Sequence, residues 1–271
     1  MANLLEKASI ILTPTAYSDG KMHSAKPIVS TNPSVGDFDF ARASVATRVN
    51  EQGLIEEVAS GLPRIDYTDG SGSWLLEPTA TNLLTYSEDF SNVAWTKQAG
   101  ITITINTADV ISPSGLNNAS KIVSTDSTKG FFSLPTSTTE AVTRTIYLKG
   151  SVGGESVTLK DGGGFGGDIT HILTNEWVRY EFKTINDGNT YQGLFIANIS
   201  VGTIYAFGAQ LEENYATSYI KTVGTAQTRV ADTASGSGNS TVINSTQGTF
   251  YAEISASDNG RIELTSDDNS Y

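Results

Sequence analysis

The chain alternates apolar and polar residues over short stretches and then breaks at glycine, asparagine, aspartate or serine. Asp37–Phe40 (DFDF), Ile101–Ile105 (ITITI), Thr143–Lys149 (TRTIYLK) and Trp177–Lys183 (WVRYEFK) all have a period of two. That is the period of a strand with one buried and one open face. The chain is rich in serine, threonine and asparagine, holds 26 glycines, and only 17% of its residues are charged. Turn formers and β-branched residues in this proportion exclude a helical bundle and predict many short strands.

The alternation divides 271 residues into four parts. Residues 1–36 carry Pro14, Pro27 and Pro33, which permit extended pieces and turns but no long helix or central strand. Residues 37–84 read as a small β unit of two hairpins. One is Ala46–Asn50 turning at Glu51-Gln52-Gly53 into Leu54–Val58. The other runs from Arg64–Tyr67 through a Gly-rich turn to Trp74–Pro78. Residues 85–222 hold seven or eight strands, with a helical turn expected near Ser87–Trp95, and predict a jelly-roll β-sandwich. Residues 223–271 begin with a Ser/Thr/Gly/Asn-rich stretch, Thr225–Ser245, whose composition reads as a linker. A strand at Gly248–Ile254 and its return at Arg261–Leu264 follow.

Charge and motif content narrow the function. A net charge of −12 argues against binding a phosphate backbone. No apolar run approaches the roughly 20 residues of a membrane helix, and the absence of cysteine removes disulfides and thiolate metal sites. The two histidines, His23 and His171, have no companion at ligand spacing, and no nucleophile, zinc or phosphate-loop motif is present. Adjacent carboxylates such as Glu56-Glu57 face opposite ways on a strand, the wrong arrangement for a glycosidase pair. The chain therefore reads as a non-enzyme.

Two features remain as candidate sites. Aromatic faces stack on the C–H side of sugar rings, and Trp177 alternates with Arg179 and Glu181 on the polar face of its strand. This makes Trp177 the first carbohydrate-binding candidate, with the loop residues Tyr191 and Phe165 behind it. The competing reading places these aromatics in the sandwich core. The run Asp161-Gly-Gly-Gly-Phe-Gly-Gly-Asp168 reads first as a surface loop between strands. If it binds anything, Asp161 and Asp168 would help hold Ca²⁺, because hard cations take carboxylate and carbonyl oxygens.

Several stretches recur together in one known setting. Phe38–Pro63 (FDFARASVATRVNEQGLIEEVASGLP), Arg64–Tyr67 (RIDY) and Trp74–Asn92 (WLLEPTATNLLTYSEDFSN) are followed by Phe207–Glu212 (FGAQLE), Tyr215–Ile220 (YATSYI) and Thr228–Asp232 (TRVAD). In this order they resemble a module of bacteriophage tail-fibre, head-fibre and related virion proteins, over residues 38–232. The 85–222 sandwich is similar to carbohydrate-binding-module jelly rolls, and Gly248–Ile254 resembles the start of a concanavalin A-like lectin segment.

The resemblance implies a virion location and docking on other virion proteins (capsid, portal or tail) through residues 1–36. It also implies homo-oligomerisation, with a trimer the usual fibre solution. The sandwich would be displayed outward, either as a structural fibre or decoration subunit or as an adhesin for host-surface glycan. It names no catalytic residue.

Overall fold

The computed structural model describes residues 7–26, 34–137, 140–161, 168–184, 191–243, 246–247, 249 and 251–253. Among them the fold is all-β. Strands β1 (Ile11–Ser18) and β2 (Lys21–Lys26) form a hairpin turning at Gly20, whose φ of 70° suits glycine. β2 then pairs with β3 (Phe38–Ala41), so it lies inside a sheet, where the proline-rich text suggested no internal strand. Pro14 is accommodated because it falls on the edge strand β1, between Leu12 and Tyr17, where the register with β2 shifts.

The two expected hairpins follow. β4 (Ala46–Val49) pairs with β5 (Ile55–Val58), and the Asn50 side-chain Oδ1 accepts from the backbone amides of Gln52 and Leu54, both at 3.0 Å. β6 (Ile65–Asp66) pairs with β7 (Ser73–Trp74), and β8 (Ala80–Asn82) leads onward.

The sandwich comprises β9 (Thr96–Lys97), β10 (Ile101–Thr104), β11 (Ser120–Ser124), β12 (Phe131–Ser137) and β13 (Val142–Gly150). It continues with β14 (Ser156–Lys160), β15 (Ile169–Ile172), β16 (Val178–Thr184), β17 (Tyr191–Ala197) and β18 (Gly202–Glu213). One sheet runs β10-β11-β18-β13-β16 and the other β15-β14-β17-β12-β9, antiparallel throughout. Apart from the β10–β11 and β14–β15 hairpins, successive strands alternate between the two sheets, which makes this a jelly-roll β-sandwich.

Alternate residues fill the space between the sheets, among them Ile122, Ile146, Leu148, Val157, Leu159, Leu194, Ile196, Ile204 and Leu211. Leu84 is fully buried there too, so the sandwich begins ahead of residue 85. The helical turn expected near Ser87–Trp95 is absent. Tight turns fastened by the Asp89 carboxylate take its place and drive Phe90 and Trp95 inward against Phe131, with ring centroids 4.9–5.6 Å apart. Trp95 Nε1 donates to the Tyr86 carbonyl at 2.8 Å, so the buried indole N–H is satisfied.

β18 is buried along nearly its whole length because both its faces are covered. Pairing with β13 slips between Thr145 and Tyr147, opposite Gly208, whose φ is 61°. This bulge changes the side-chain parity: Ile204 and Ala206 point into the core before it, Ala209 and Leu211 after it. Phe207 turns to the other side and packs with Ile55 and Tyr219, where the hairpins of the N-terminal unit cover the sheet.

Beyond the sandwich the chain returns to this base. β19 (Gln227–Arg229) pairs with β8, and β20 (Thr233–Ser235) pairs with β3, completing the sheet order β1-β2-β3-β20. Residues 227–235 are therefore not a linker. Their composition is that of one, but the side chains of Arg229 and Asp232 are buried by partners far away in sequence. The expected strand pair at Gly248–Ile254 and Arg261–Leu264 falls largely outside the described residues.

The joint between base and sandwich is polar. The Asn82 amide makes four hydrogen bonds at full burial, donating to Ala209 O and Ile220 O and accepting from Leu84 N and Leu211 N. Asp232 takes Arg42 Nη1 at 2.9 Å on one oxygen, and Arg64 Nη2 with the Glu77 amide on the other. Glu77 meets Arg64 Nη1 at 2.8 Å and accepts from Ser218 N and Oγ. Burial pushes the Glu77 carboxyl up, but Arg64, Arg229 and the Ser218 bonds outweigh it and hold its pKa below the ordinary value. Arg42, Arg64, Glu77, Asn82, Arg229 and Asp232 all lie in the recurrent text quoted above, so that pattern describes one physical joint.

Candidate functional site

The sandwich sheet that faces away from the base carries the open face. On β17, Leu194 and Ile196 point into the core, so Phe195 points out; on β12, Phe131 points in and Phe132 out. Register places Phe132 opposite Phe195, with Thr96 beyond Phe132 on β9 and Lys160 beyond Phe195 on β14. The two half-exposed rings stack with centroids 4.4 Å apart and planes within 6°. Each covers one face of the other and keeps its second face beside a polar neighbour.

A depression of about 200 Å³ adjoins the pair, lined by Gln98, Thr128, Gly130, Lys160 and Asn198 along with both rings. Its borders are fixed. Gln98 Oε1 accepts from the Gly130 amide at 2.8 Å, and Lys160 pairs with Asp168 at 2.7 Å. Gly130 is required: a Cβ there would stand 2.0 Å from Ile196 O. An aromatic wall beside hydroxyls, amides and an ammonium can hold a ligand that has both C–H faces and hydroxyls.

Of the expected site residues, the side chains of Trp177, Asp161 and Asp168 lie among the described residues. Trp177 lies on the opposite sheet, half-buried against Ile55, Phe207 and Tyr219, with Nε1 donating to Ile111 O at 2.8 Å. On the polar face that the sequence assigned to Trp177, Arg179 and Glu181, the base covers Trp177 and Arg179 in part and leaves Glu181 exposed: Arg179 bonds Thr145 Oγ1 and Thr217 O and lies over Tyr147. Tyr191 opens β17, with its side chain outside the described residues, and Phe165 lies wholly outside them.

Asp161 is buried, and its charge supports Arg144; desolvation nonetheless lowers the Arg144 pKa to about 10. Asp168 is engaged by Lys160. Among the described residues no three carboxylates, histidines or cysteines gather in a way that could hold a metal. The His171 ring lies tilted against Tyr180 with centroids 4.5 Å apart, and burial lowers its pKa. Phe132 and Phe195 went unnoticed because Phe131-Phe132 and Leu194-Phe195-Ile196 are continuous apolar runs. The strand period, once its phase is known, assigns them outward.

The fold defines the class as a jelly-roll β-sandwich on a β base. No protein-family model matches the chain, and no curated protein matches it. Among solved structures it is similar to the CBM22-1 xylan-binding domain of Paenibacillus barcinonensis Xyn10C, with 14% identity, a TM-score of 0.35, and 51% of this chain and 94% of that one covered. A carbohydrate-binding module of Cellvibrio mixtus lichenase 5A, solved with cellotriose, matches at 15% identity and a TM-score of 0.32, over 52% of this chain and 100% of that one. The enzymatically active domain of bacteriophage CBA120 tailspike protein 4 matches at 16% identity and a TM-score of 0.33, over 48% of this chain but 21% of that chain.

Proposed function

We propose that the chain binds carbohydrate through the outer face of the β15-β14-β17-β12-β9 sheet. The observation that carries this reading is the Phe132–Phe195 ring pair standing beside a polar depression. Each ring's free face takes a sugar C–H face, while Gln98, Asn198 and Lys160 meet the hydroxyls. Affinity electrophoresis of the full chain in gels containing bacterial capsular and envelope polysaccharides tests it. At least one polysaccharide is expected to retard the chain, and Phe195→Ala to migrate as in a blank gel. Equal migration of the native chain in every gel overturns the proposal.

A second reading concerns placement: a fibre or decoration subunit of a phage virion, homo-oligomeric and docked through its N-terminal residues. It is supported by the way the residues of the virion-protein pattern close into one joint. Immunogold labelling of intact virions tests the location, and mass in solution tests the oligomer. Unlabelled particles, or a monomer at micromolar concentration, count against the respective claim.

A further inference from the structure

Arg229 is the anomaly of the buried joint. Its side chain is 1% exposed, yet Nε, Nη1 and Nη2 have no hydrogen-bond acceptor among the described residues, and neither has Nε of the fully buried Arg64. The acceptors nearest Arg229 are already committed. Glu77 Oε2 is 3.5 Å away and holds Arg64 and Ser218; Asp232 Oδ2 is 3.8 Å away and holds Arg64 and the Glu77 amide. Charge is unbalanced as well. Arg42, Arg64 and Arg229 face only Glu77 and Asp232, which leaves one positive charge in excess within the contact cluster.

Glu212 is the next acidic group to act on Arg229. Its carboxylate accepts from Thr217 and Gln210, and no hydrogen bond joins it to Arg229. A buried guanidinium does not shed its proton near neutral pH, and leaving its donors unpaired is costly. Water would satisfy N–H donors but would not compensate the charge.

We propose that Arg229 and Arg64 Nε hold a small monovalent anion of the halide class, sealed in the joint as a structural ligand. Arg42, Arg64 and Arg229 are 0–3% exposed, a setting out of contact with bulk solvent that favours a monatomic ion over phosphate, sulfate or a sugar acid. The site is separate from the Phe132–Phe195 face.

The test is thermal unfolding of the full chain at constant ionic strength, with chloride exchanged for a large, weakly coordinating anion such as gluconate. Because a ligand bound only by the native state stabilises it by mass action, the midpoint is expected to climb with the logarithm of chloride concentration. Arg229→Met leaves two arginines facing two carboxylates and is expected to fold with a chloride-independent midpoint. If that variant does not fold, anomalous diffraction from native crystals soaked in bromide decides, with a bromide peak expected beside Arg229. A chloride-independent native midpoint, or an ordered water in place of bromide, overturns the proposal.

Discussion

Arg64 and Asp232 are 168 positions apart and meet in an ion pair with no solvent exposure on either side chain. The pair joins the strand-turn-strand of the N-terminal unit to the segment that follows the sandwich. It ties both ends of the sandwich to one base.

Asp232→Ala is expected to destabilise the base by about 3–5 kcal/mol, because it removes the buried carboxylate that pairs with both Arg42 and Arg64. Trp95 reports on the sandwich core, so its fluorescence should keep the native denaturation midpoint while the base transition moves to lower denaturant. A single shared transition would mean that base and sandwich fold as one unit.

Acid should loosen the same joint. The folded pKa of Glu77 lies below its unfolded value, so its contribution is present above the ordinary carboxylate range. That contribution is lost as pH falls through the folded pKa. Glu77→Gln is expected to lower stability at neutral pH and to flatten the acid limb of the stability–pH curve, as read by urea denaturation from pH 7 downward.

Gly130→Ala places a methyl group 2.0 Å from Ile196 O and 2.7 Å from Ala197 Cα. Backbone cannot yield cheaply, so β12 must move off β17 and the Phe132–Phe195 stack must open. A stability loss of about 1–3 kcal/mol is expected, together with lost retardation in polysaccharide gels. Retention of both would show that the stack does not depend on this pairing.

Trp177→Ala distinguishes the two aromatic candidates. Trp177 is half-buried against the cluster of Ile55, Phe207 and Tyr219 and bonds Ile111 O, so its removal is expected to cost about 1–3 kcal/mol and leave polysaccharide retardation intact. Lost retardation with an unchanged melting temperature would move the binding face to the other sheet.

The strands at 143–149, 178–183 and 203–211 were legible because each buries one face in a core and leaves the other polar or differently packed. β15 was not. Ile169 and Ile172 lie on opposite faces with Thr170 and His171 between them, so no period of two appears. The binding face was hidden for a related reason: Phe195 stands between two core residues, and an apolar run does not reveal which member points out. The joint was harder still. Arg229 and Asp232 sit in text with the composition of a linker, and only pairing across more than 150 positions identifies them as buried.

The arrangement of β3 and β20 has a mechanical consequence. The chain enters the base before the sandwich and leaves it after, through two strands that pair directly, Thr233 with Ala41 and Ser235 with Asp39. Tension along the chain therefore passes from strand to strand within one sheet and bypasses the jelly roll, which hangs beside the load path like a tag on a taut line. A tug on the sandwich itself arrives elsewhere, at the rung between Asn82 and Gln227. There the β8–β19 pair would part like a zip from its outer end, and a ligand could strain that short ladder while the sandwich that grips it stays folded.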